Sequence, residues 1–423
     1  MTAPLTADEF SDLMLPVMPQ EGAPVAVAVS GGADSLALTI LLGQWCAAHD
    51  VPLTAITVDH GLRTESAGEA RQVARWLEKY DISHIILTWQ GDKPRSNIQQ
   101  QARLARYRLI GKWCQENRVR QLFLGHHQGD QAETFLIRLF RGSGVDGLSA
   151  MKIQSDYPLP LPGVTICRPL LYTARERLAD TLRETGQVWI EDPSNRDEHY
   201  TRVKIRNLLQ QNDIEGFNPP RMARTAARMG RVQSLLKSLT DEMTAAAITF
   251  FPEGYARINP EILLLAHEEI ALRALASLMR RIGGGAYTPR LAKLESLYER
   301  VKAADFPGQT LAGCRISPCQ DGNIMISREG AAIKDDLDLD AHSVTLWDGR
   351  FIIENGATAG RVKKLAPPEW QKAGQDYPGL GELTLPWFIR ESLPCIVTTD
   401  GKVILPDFLP GFEKTGFSAT FRQ

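Results

Sequence analysis

VAVAVSGGADS, at residues 25–35, is a short apolar run followed by two glycines set between hydroxyl and carboxyl side chains. The small and β-branched residues 25–29 predict a buried parallel strand. The next stretch, LALTILLGQWCAAH, has the length and apolar content of a helix, and Asp34 and Ser35 are candidate caps near its start. A strand, a glycine-rich turn and a helix N-terminus are therefore expected in direct succession.

The turn itself suits a phosphate or pyrophosphate group. Backbone N–H groups and the positive end of a helix dipole favour an anion, and the pair Gly31-Gly32 lets the backbone approach phosphate oxygens closely. The turn has neither the GxxxxGK[ST] pattern of a P-loop nor the GxGxxG pattern of a dinucleotide site. A tight strand-to-helix turn that binds no ligand is the alternative interpretation.

Length and composition limit the class of protein. At 423 residues, two or three domains are expected, and 43% hydrophobic with 23% charged residues is ordinary for a globular chain. The six cysteines show no CxxC spacing, which argues against a disulfide framework or a zinc site. The N-terminus lacks the features of a signal peptide and no run of 18 apolar residues occurs, so we expect a cytoplasmic protein without a membrane partner.

Strand and helix patterns alternate through the first half of the chain. This alternation predicts an α/β fold with a doubly wound parallel sheet. Ligands of such sheets bind outside the carboxyl ends of the strands. Three segments that are distant in sequence should therefore share one edge of the sheet, namely residues 30–35, 59–63 and 125–133.

LGHHQGDQAETFLIRLFRGSG, at residues 124–144, is the second informative stretch. Asp130 and Glu133 are three residues apart in a predicted first helical turn, so both carboxylates should face the same cleft. They could hold Mg²⁺ on a nucleotide or accept a proton from an amine, although acids in a first turn also simply favour the helix dipole. His126 and His127 are adjacent, which disfavours convergence of both rings on one zinc ion.

A set of motifs in a fixed order resembles the tRNA(Ile)-lysidine synthetase family, within the ATP pyrophosphatase superfamily. The resemblance covers roughly residues 20–210. Its motifs are SGGADS, VDHGLR, SNIQQQARLARYRLI, LGHHQGDQAETFLIRLFRGSG, GLSAM, RPLL and EDPSN, followed by Arg202 and Arg206. The resemblance implies that ATP adenylates the 2-oxygen of the wobble cytidine in tRNA(Ile) with a CAU anticodon, releasing pyrophosphate. The ε-amine of free lysine then displaces AMP and forms lysidine.

The resemblance also implies roles for particular residues. Residues assigned to ATP are Ser30, Gly31, Gly32, Ala33, Asp34, Ser35, Asp59 and Arg63, and Asp34 is also assigned to Mg²⁺. Residues assigned to catalysis are Asp130, Glu133, Arg202 and Arg206. Because lysine must lose a proton before it attacks, either acid could be the base. The two arginines are four residues apart and could clamp a phosphate, or form a solvated basic face.

Two positions depart from the family pattern. Gly129 stands where the first of two consecutive acids is usual, and Val203 stands where an asparagine is common. We expect that Gly129→Asp raises adenylation or leaves it unchanged, because the remaining acids match the family.

The second half of the chain has features of an RNA-binding region. Arg221, Arg224, Arg228 and Arg231 would line one face of a helix that begins after Pro219-Pro220, and such a stripe matches a phosphate backbone. A solvated helix face is the alternative. We expect a catalytic domain at residues 1–210, an all-helical or mainly helical tRNA-binding domain at 211–320 and a small β-rich tRNA-binding domain at 341–423.

The C-terminal region also contains candidate RNA contacts. Basic side chains available there are Arg350, Arg361, Lys363, Lys364 and Arg390. The tryptophans Trp347, Trp370 and Trp387 could stack on bases, although in a small domain they more often belong to the core.

These observations predict an ATP-dependent RNA-modifying ligase with tRNA and free lysine as partners. One alternative is another enzyme of the superfamily, such as a tRNA thiolase or an amide ligase, although the chain lacks paired cysteines and an ammonia-supplying motif. A second alternative is a tRNA-binding protein that retains the nucleotide fold without catalysis. The oligomeric state is open, with a homodimer among the options.

Overall fold

A six-stranded sheet in the order β3-β2-β1-β4-β6-β5 forms the centre of the N-terminal part of the chain. Its strands are β1 (Val25–Ala28), β2 (Leu53–Asp59), β3 (Ser83–Thr88), β4 (Gln121–Leu124), β5 (Gln154–Asp156) and β6 (Thr165–Cys167). Neighbouring strands are parallel except β5, which pairs antiparallel with β6 at the edge. The predicted α/β fold class is confirmed.

Helices cover both faces of this sheet. They are α1 (Ala7–Met14), α2 (Ala33–Ala48), α3 (Ser66–Glu78), α4 (Ile98–Glu116), α5 (Gln128–Phe140), α6 (Val145–Leu148), α7 (Arg175–Glu184) and α8 (Thr201–Gln211), with a 3-10 turn at Leu15–Val17. Val25 and Val27 of β1 pack with α1, α2, α3 and α7, whereas Ala26 packs with α4. Because side chains alternate along a strand, burial on both faces explains why β1 is a continuous apolar run.

The computed structural model describes residues 2–91, 93, 96–159, 163–191, 200–211, 214–285, 288–303, 306–356, 359–377, 380–381, 383–409 and 416–422. The chain divides into two compact units, Met1–Ser234 and Leu235–Gln423. Helix α9 (Pro219–Ala247) contains the point of division. The three predicted domains, 1–210, 211–320 and 341–423, stay predictions. Within the described ranges, no helix is both long enough and apolar enough to cross a bilayer.

The C-terminal unit begins with a helical region and continues into antiparallel sheets, as predicted. Its helices are α10 (Pro260–Leu265), α11 (Glu268–Gly283), α12 (Leu291–Lys302), α13 (Pro367–Asp376) and α14 (Trp387–Arg390), with a 3-10 turn at Gly330–Ala332. The helical region also contains a hairpin that the sequence analysis did not predict, formed by β7 (Ile248–Phe251) and β8 (Tyr255–Ile258). Gly254, with φ +75°, makes the hairpin turn possible.

Three sheets form the rest of the unit. Their further strands are β9 (Gln309–Leu311), β10 (Cys314–Pro318), β11 (Ile324–Arg328), β12 (Leu337–Leu339), β13 (Val344–Trp347), β14 (Phe351–Asn355), β15 (Gly360–Lys364), β16 (Pro394–Thr398), β17 (Val403–Ile404) and β18 (Phe417–Phe421). The strand orders are β7-β8-β11-β10-β9, β12-β15-β16-β17 and β13-β14-β18.

The candidate RNA contacts of this unit differ in exposure. Arg350 is completely buried, and its Nε donates to Asp348 Oδ2 at 2.6 Å, so it is a core residue and not an available cation. Trp347 is also completely buried, whereas Trp387 is 64% exposed. Trp347 belongs to the apolar core of this unit, and Asp348 neutralises the charge of the buried Arg350.

Candidate active site

The loop between β1 and α2 has the predicted strand–turn–helix form. Neither Asp34 nor Ser35 caps the helix, because the N-cap position is Gly32 and no side chain bonds the first-turn amides there. The Ser35 hydroxyl instead accepts from Ser30 N at 3.1 Å and donates to Gly32 O at 3.1 Å. Ser35 therefore stabilises the shape of the loop, and the helix N-terminus is left without a side-chain cap. An uncapped N-terminus suits an anion.

Three glycines lie around the loop, and two of them, Gly31 and Gly125, allow close approaches by neighbouring elements. Gly31 has φ +86°, and a Cβ atom there would lie 2.8 Å from both Ile190 Cδ1 and Val73 Cγ2. At Gly32 a Cβ would lie 3.7 Å from Ser30 Oγ and 3.9 Å from Ile190 O, which are ordinary van der Waals contacts. Gly125 follows β4, and a Cβ there would lie 2.8 Å from Asp34 O. Gly125 thus lets β4 end directly against the start of α2.

His127 links the loop to the first turn of α5. Its Nε2 lies 3.6 Å from Asp34 Oδ2 and 3.5 Å from Asp130 Oδ2, and its Nδ1 accepts from Gly129 N at 3.0 Å. Burial lowers the pKa of His127, but the hydrogen bond to Asp34 and the charge of Asp130 outweigh it and raise that pKa above its usual value. The ring therefore connects two carboxylates that belong to different elements.

Gly129 is explained by the same ring. A Cβ atom at this position would lie 2.8 Å from His127 Cε1 and 3.1 Å from His127 Nδ1. Any larger side chain requires the buried imidazole to move, so packing against His127 favours glycine at this position.

The four predicted catalytic residues lie together. Glu133 is 2% exposed, and its two oxygens each accept from one arginine of α8, Oε2 from Arg202 Nε and Oε1 from Arg206 Nε, both at 2.7 Å. Arg202 also approaches Asp130, with NH2 3.4 Å from Oδ1. Burial raises the pKa of Asp130, but His127 and Arg202 outweigh it and hold that pKa below its usual value. Asp130 is therefore ionised at neutral pH.

Asp59 and Arg63 lie between the end of β2 and the start of α3. Asp59 Oδ1 accepts from Gly61 N at 2.9 Å and from the Ser66 hydroxyl at 2.7 Å. Arg63 NH2 lies 2.9 Å from Glu69 Oε2. These contacts organise the turn into α3, and a role of either residue in ATP binding stays a prediction.

Sequence patterns missed two arginines at the site. Arg175, the first residue of α7, has its Nε 3.4 Å from Asp34 Oδ1. Arg168, which belongs to the RPLL motif, donates from Nε to His126 Nδ1 at 3.3 Å. Burial lowers the pKa of His126 to about 4, so this ring is neutral at physiological pH. The RPLL motif could have indicated Arg168, whereas no spacing of residues in the sequence relates Arg175 to the β1–α2 loop.

Metal binding and RNA binding concern two further sets of predicted residues. In the part of the chain that the structure describes, no group of three or more histidine, cysteine, aspartate or glutamate side chains is arranged to hold a metal ion. The predicted RNA-binding residues Arg221, Arg224, Arg228 and Arg231 all lie exposed on α9. The assignment of Mg²⁺ to Asp34 and of RNA to these arginines stays a prediction.

The fold and the loop define the class of protein to which the chain belongs. A model of the PP-loop domain matches residues 6–212, which include the whole six-stranded sheet and the α5–α8 cluster. The N-terminal unit is therefore a PP-loop domain, a type of domain that uses ATP. Among solved structures, the U34-tRNA thiolase NcsA from Methanococcus maripaludis, with its [4Fe-4S] cluster, is 18% identical, with a TM-score of 0.45, covering 54% of this chain and 79% of that chain.

Sequence relatives give the family. The chain is 39% identical over 331 residues to a tRNA(Ile)-lysidine synthase of Wolbachia pipientis wMel, covering 77% of this chain and 76% of the relative. It is 37% identical over 363 residues to a tRNA(Ile)-lysidine synthase of Ruegeria pomeroyi, covering 84% of each. The chain belongs to the tRNA(Ile)-lysidine synthase family and is a ligase. The predicted family and enzyme class are confirmed.

Proposed function

We propose that this chain joins free lysine to the 2-carbonyl carbon of the wobble cytidine in tRNA(Ile) with a CAU anticodon, through an adenylated cytidine. The observation that carries the proposal is the Asp34–His127–Asp130 connection, which places an uncapped helix N-terminus beside the carboxylate–arginine cluster. ATP activation and amine transfer need both parts in one cleft.

In the first step, the cytidine 2-oxygen attacks the α-phosphate of ATP, and the bond to pyrophosphate breaks. The uncapped amides of α2 receive phosphate oxygens, and the lack of a side chain at Gly32 lets them come close. Arg202 and Arg206 offset negative charge that develops during transfer. The carboxylate of Asp34 fits Mg²⁺ as a hard oxygen ligand, and the ion would neutralise phosphate charge.

In the second step, the ε-amine attacks C2 of the activated ring and AMP leaves. The two acids have different environments. Both oxygens of Glu133 are occupied by arginines, so Glu133 holds Arg202 and Arg206 in position. Asp130 binds the lysine ammonium, accepts a hydrogen bond from the attacking amine and passes the proton to solvent.

The purified chain, incubated with tRNA(Ile) transcript, ATP and labelled lysine, tests this proposal. We expect label in the RNA that depends on ATP and on the CAU anticodon, with one AMP and one pyrophosphate per lysine. Pyrophosphate release without label would instead indicate another ATP-using tRNA-modifying enzyme. Binding of tRNA with neither product would indicate a non-catalytic RNA-binding protein. The cytoplasmic location and the oligomeric state stay predictions.

A further inference from the structure

A shallow groove of about 380 Å³ lies along the first part of α9 in the N-terminal unit. One wall consists of the segment 149–153 together with Tyr172, and the other is the face of α9 that carries Gly230 and Arg231. Gly230 and its alanine neighbours form a floor without bulky side chains, so a flat group could lie close to the helix backbone.

Hydrogen bonds connect this groove to the active site. Gln128, the first residue of α5, donates from its backbone N to Thr173 O at 2.9 Å and from Nε2 to Tyr172 O at 3.3 Å. Asp130 follows Gln128 by two residues. On the same wall, Arg168 donates to Lys152 O at 3.0 Å while it also bonds His126. These hydrogen bonds join one wall of the groove to the first turn of α5, the helix that carries Asp130 and Glu133.

The groove has the chemistry of a site for single-stranded RNA. Tyr172 is 39% exposed, and Lys152 and Arg231 are exposed cations on opposite walls. The described residues that line the groove include no acidic side chain. Exposed aromatic rings stack on bases, and paired cations bind the backbone phosphates between which those bases lie.

We propose that this groove binds the nucleotide next to the target cytidine, with its base on Tyr172 and its phosphate between Lys152 and Arg231. This inference rests on the proposed function, because it assumes that an RNA strand enters the active site. A neighbouring base held in this way would fix the position of the reactive cytidine and contribute to selection of the anticodon sequence.

Tyrosine variants separate stacking from simple charge attraction. We expect that Tyr172→Ala raises the KM for tRNA about tenfold, whereas Tyr172→Phe keeps it near the wild-type value, since the ring is retained. The KM values for ATP and lysine should not change. Phe140→Ala is a matched control, because Phe140 is a 64% exposed aromatic residue that does not line the groove. Equal KM values for tRNA in wild type and Tyr172→Ala would overturn the proposal.

RNA substrates with one missing base identify the occupant. Abasic substitution on the 5′ or the 3′ side of the target cytidine should weaken wild-type binding about tenfold at one of the two positions. The same substitution should have no further effect in Tyr172→Ala, since non-additive losses indicate a direct contact. If each abasic substitution and Tyr172→Ala weakened tRNA binding additively, the groove would not hold a base. The same conclusion would follow if tRNA affinity fell only in Lys152→Ala and Arg231→Ala, because the groove would then attract the RNA backbone alone.

Gly230→Leu tests the groove without removing a contact. A Cβ atom at Gly230 meets nothing within 4 Å, and leucine is a better helix former than glycine, so the variant should fold at least as stably as wild type. Its side chain would fill the groove and weaken tRNA binding about tenfold. Unchanged tRNA binding in a folded Gly230→Leu would overturn the proposal. If wild type itself transfers no lysine, the proposed function fails first, and the two failures are thereby distinguished.

Discussion

Gly31 and Gly32 are adjacent residues with different structural needs, which gives a prediction at the residue scale. Gly31→Ala should cost about 1–2 kcal/mol from the left-handed backbone alone, with a further cost from the contact with Ile190 and Val73. Gly32→Ala should leave the free energy of unfolding within about 1 kcal/mol, because φ is −72° and a Cβ would make only ordinary van der Waals contacts.

Although Gly32→Ala should be the more stable of the two variants, we expect it to weaken ATP binding. In Gly32→Ala the new methyl group occupies the approach to the helix amides, and loss of one charge-assisted hydrogen bond, ~1.5–3 kcal/mol, would raise the KM for ATP at least about tenfold. Thermal unfolding and ATP titration measure the two effects. A stable Gly32→Ala with wild-type affinity for ATP would show that the phosphates bind elsewhere.

The residue at position 129 should affect turnover through His127. Gly129→Ala brings a methyl group within 2.8 Å of the ring, so the ring must leave the position in which it contacts Asp34 and Asp130. We expect kcat to fall between about 10- and 100-fold, as small displacements of site groups do, and Gly129→Asp to behave similarly. This reverses the expectation from sequence.

A second helical glycine provides the control for position 129. Gly68 lies in α3, and a Cβ atom there meets nothing within 4 Å, so Gly68→Ala should match wild type in a steady-state assay of lysine transfer. An unchanged kcat in Gly129→Ala would mean that the position of His127 is irrelevant to turnover.

The acids Asp130 and Glu133 should have separable effects. Asp130→Asn should slow lysine transfer more than cytidine adenylation, because a neutral amide no longer attracts the lysine ammonium, while its weaker contacts with His127 and Arg202 affect both steps. Glu133→Gln should slow both steps, since Arg202 and Arg206 each lose the charged partner of a hydrogen bond of 2.7 Å. Single-turnover assays measure release of pyrophosphate and of AMP separately. Full rates for both variants in both steps would exclude these roles.

At the scale of elements, α9 presents the arginine stripe, whose last member, Arg231, also lines the proposed groove. Each of Arg221→Gln, Arg224→Gln, Arg228→Gln and Arg231→Gln should lower the slope of log affinity for tRNA against log salt concentration by about 0.7–0.9, the value for one phosphate contact. Lys237→Gln is the matched control in the same helix, because Lys237 is already paired with Asp241. Identical slopes in all five variants and wild type would favour a solvated helix face.

Local elements were predictable from sequence, whereas contacts between elements were not. The β1–turn–α2 unit and the pairs Asp130–Glu133 and Arg202–Arg206 follow from strand and helix periodicity. The link through His127 depends on the close approach that Gly125 allows between β4 and α2, and Arg175 reaches Asp34 from α7. Neither contact can be predicted from the spacing of residues in the sequence, because both arise from tertiary packing. The β7–β8 hairpin was missed because the helical patterns on both sides of it predict one helical region that continues through it.

At the scale of the whole molecule, each of the two units has its own core. The β1–α2 loop and its contacts lie within Met1–Ser234, and a separate apolar cluster that includes Trp347 and Phe351 lies within Leu235–Gln423. Damage to the second core should therefore leave ATP binding intact. Asp348 pairs with the buried Arg328 and Arg350, so one substitution at Asp348 would damage this core.

Asp348→Asn should unfold the C-terminal unit at a lower temperature. Asp348 accepts from Arg328 NH2 at 2.7 Å and from Arg350 Nε at 2.6 Å, and removal of one partner from a buried ion pair costs ~3–5 kcal/mol. Asparagine tolerates the φ of +48° at this position, so the loss would come from charge and not from the backbone. Differential scanning calorimetry should show that the C-terminal unit unfolds at a lower temperature. ATP titration should show an unchanged affinity for ATP.

The control for Asp348→Asn is an exposed ion pair in the same unit. Asp338 is paired with Arg361 at 2.9 Å, but its side chain is 83% exposed, so Asp338→Asn should change stability by at most about 1 kcal/mol. If Asp348→Asn also abolished ATP binding, the two units could not be thermodynamically separate, and the folding of the second unit would have to be coupled to that of the first.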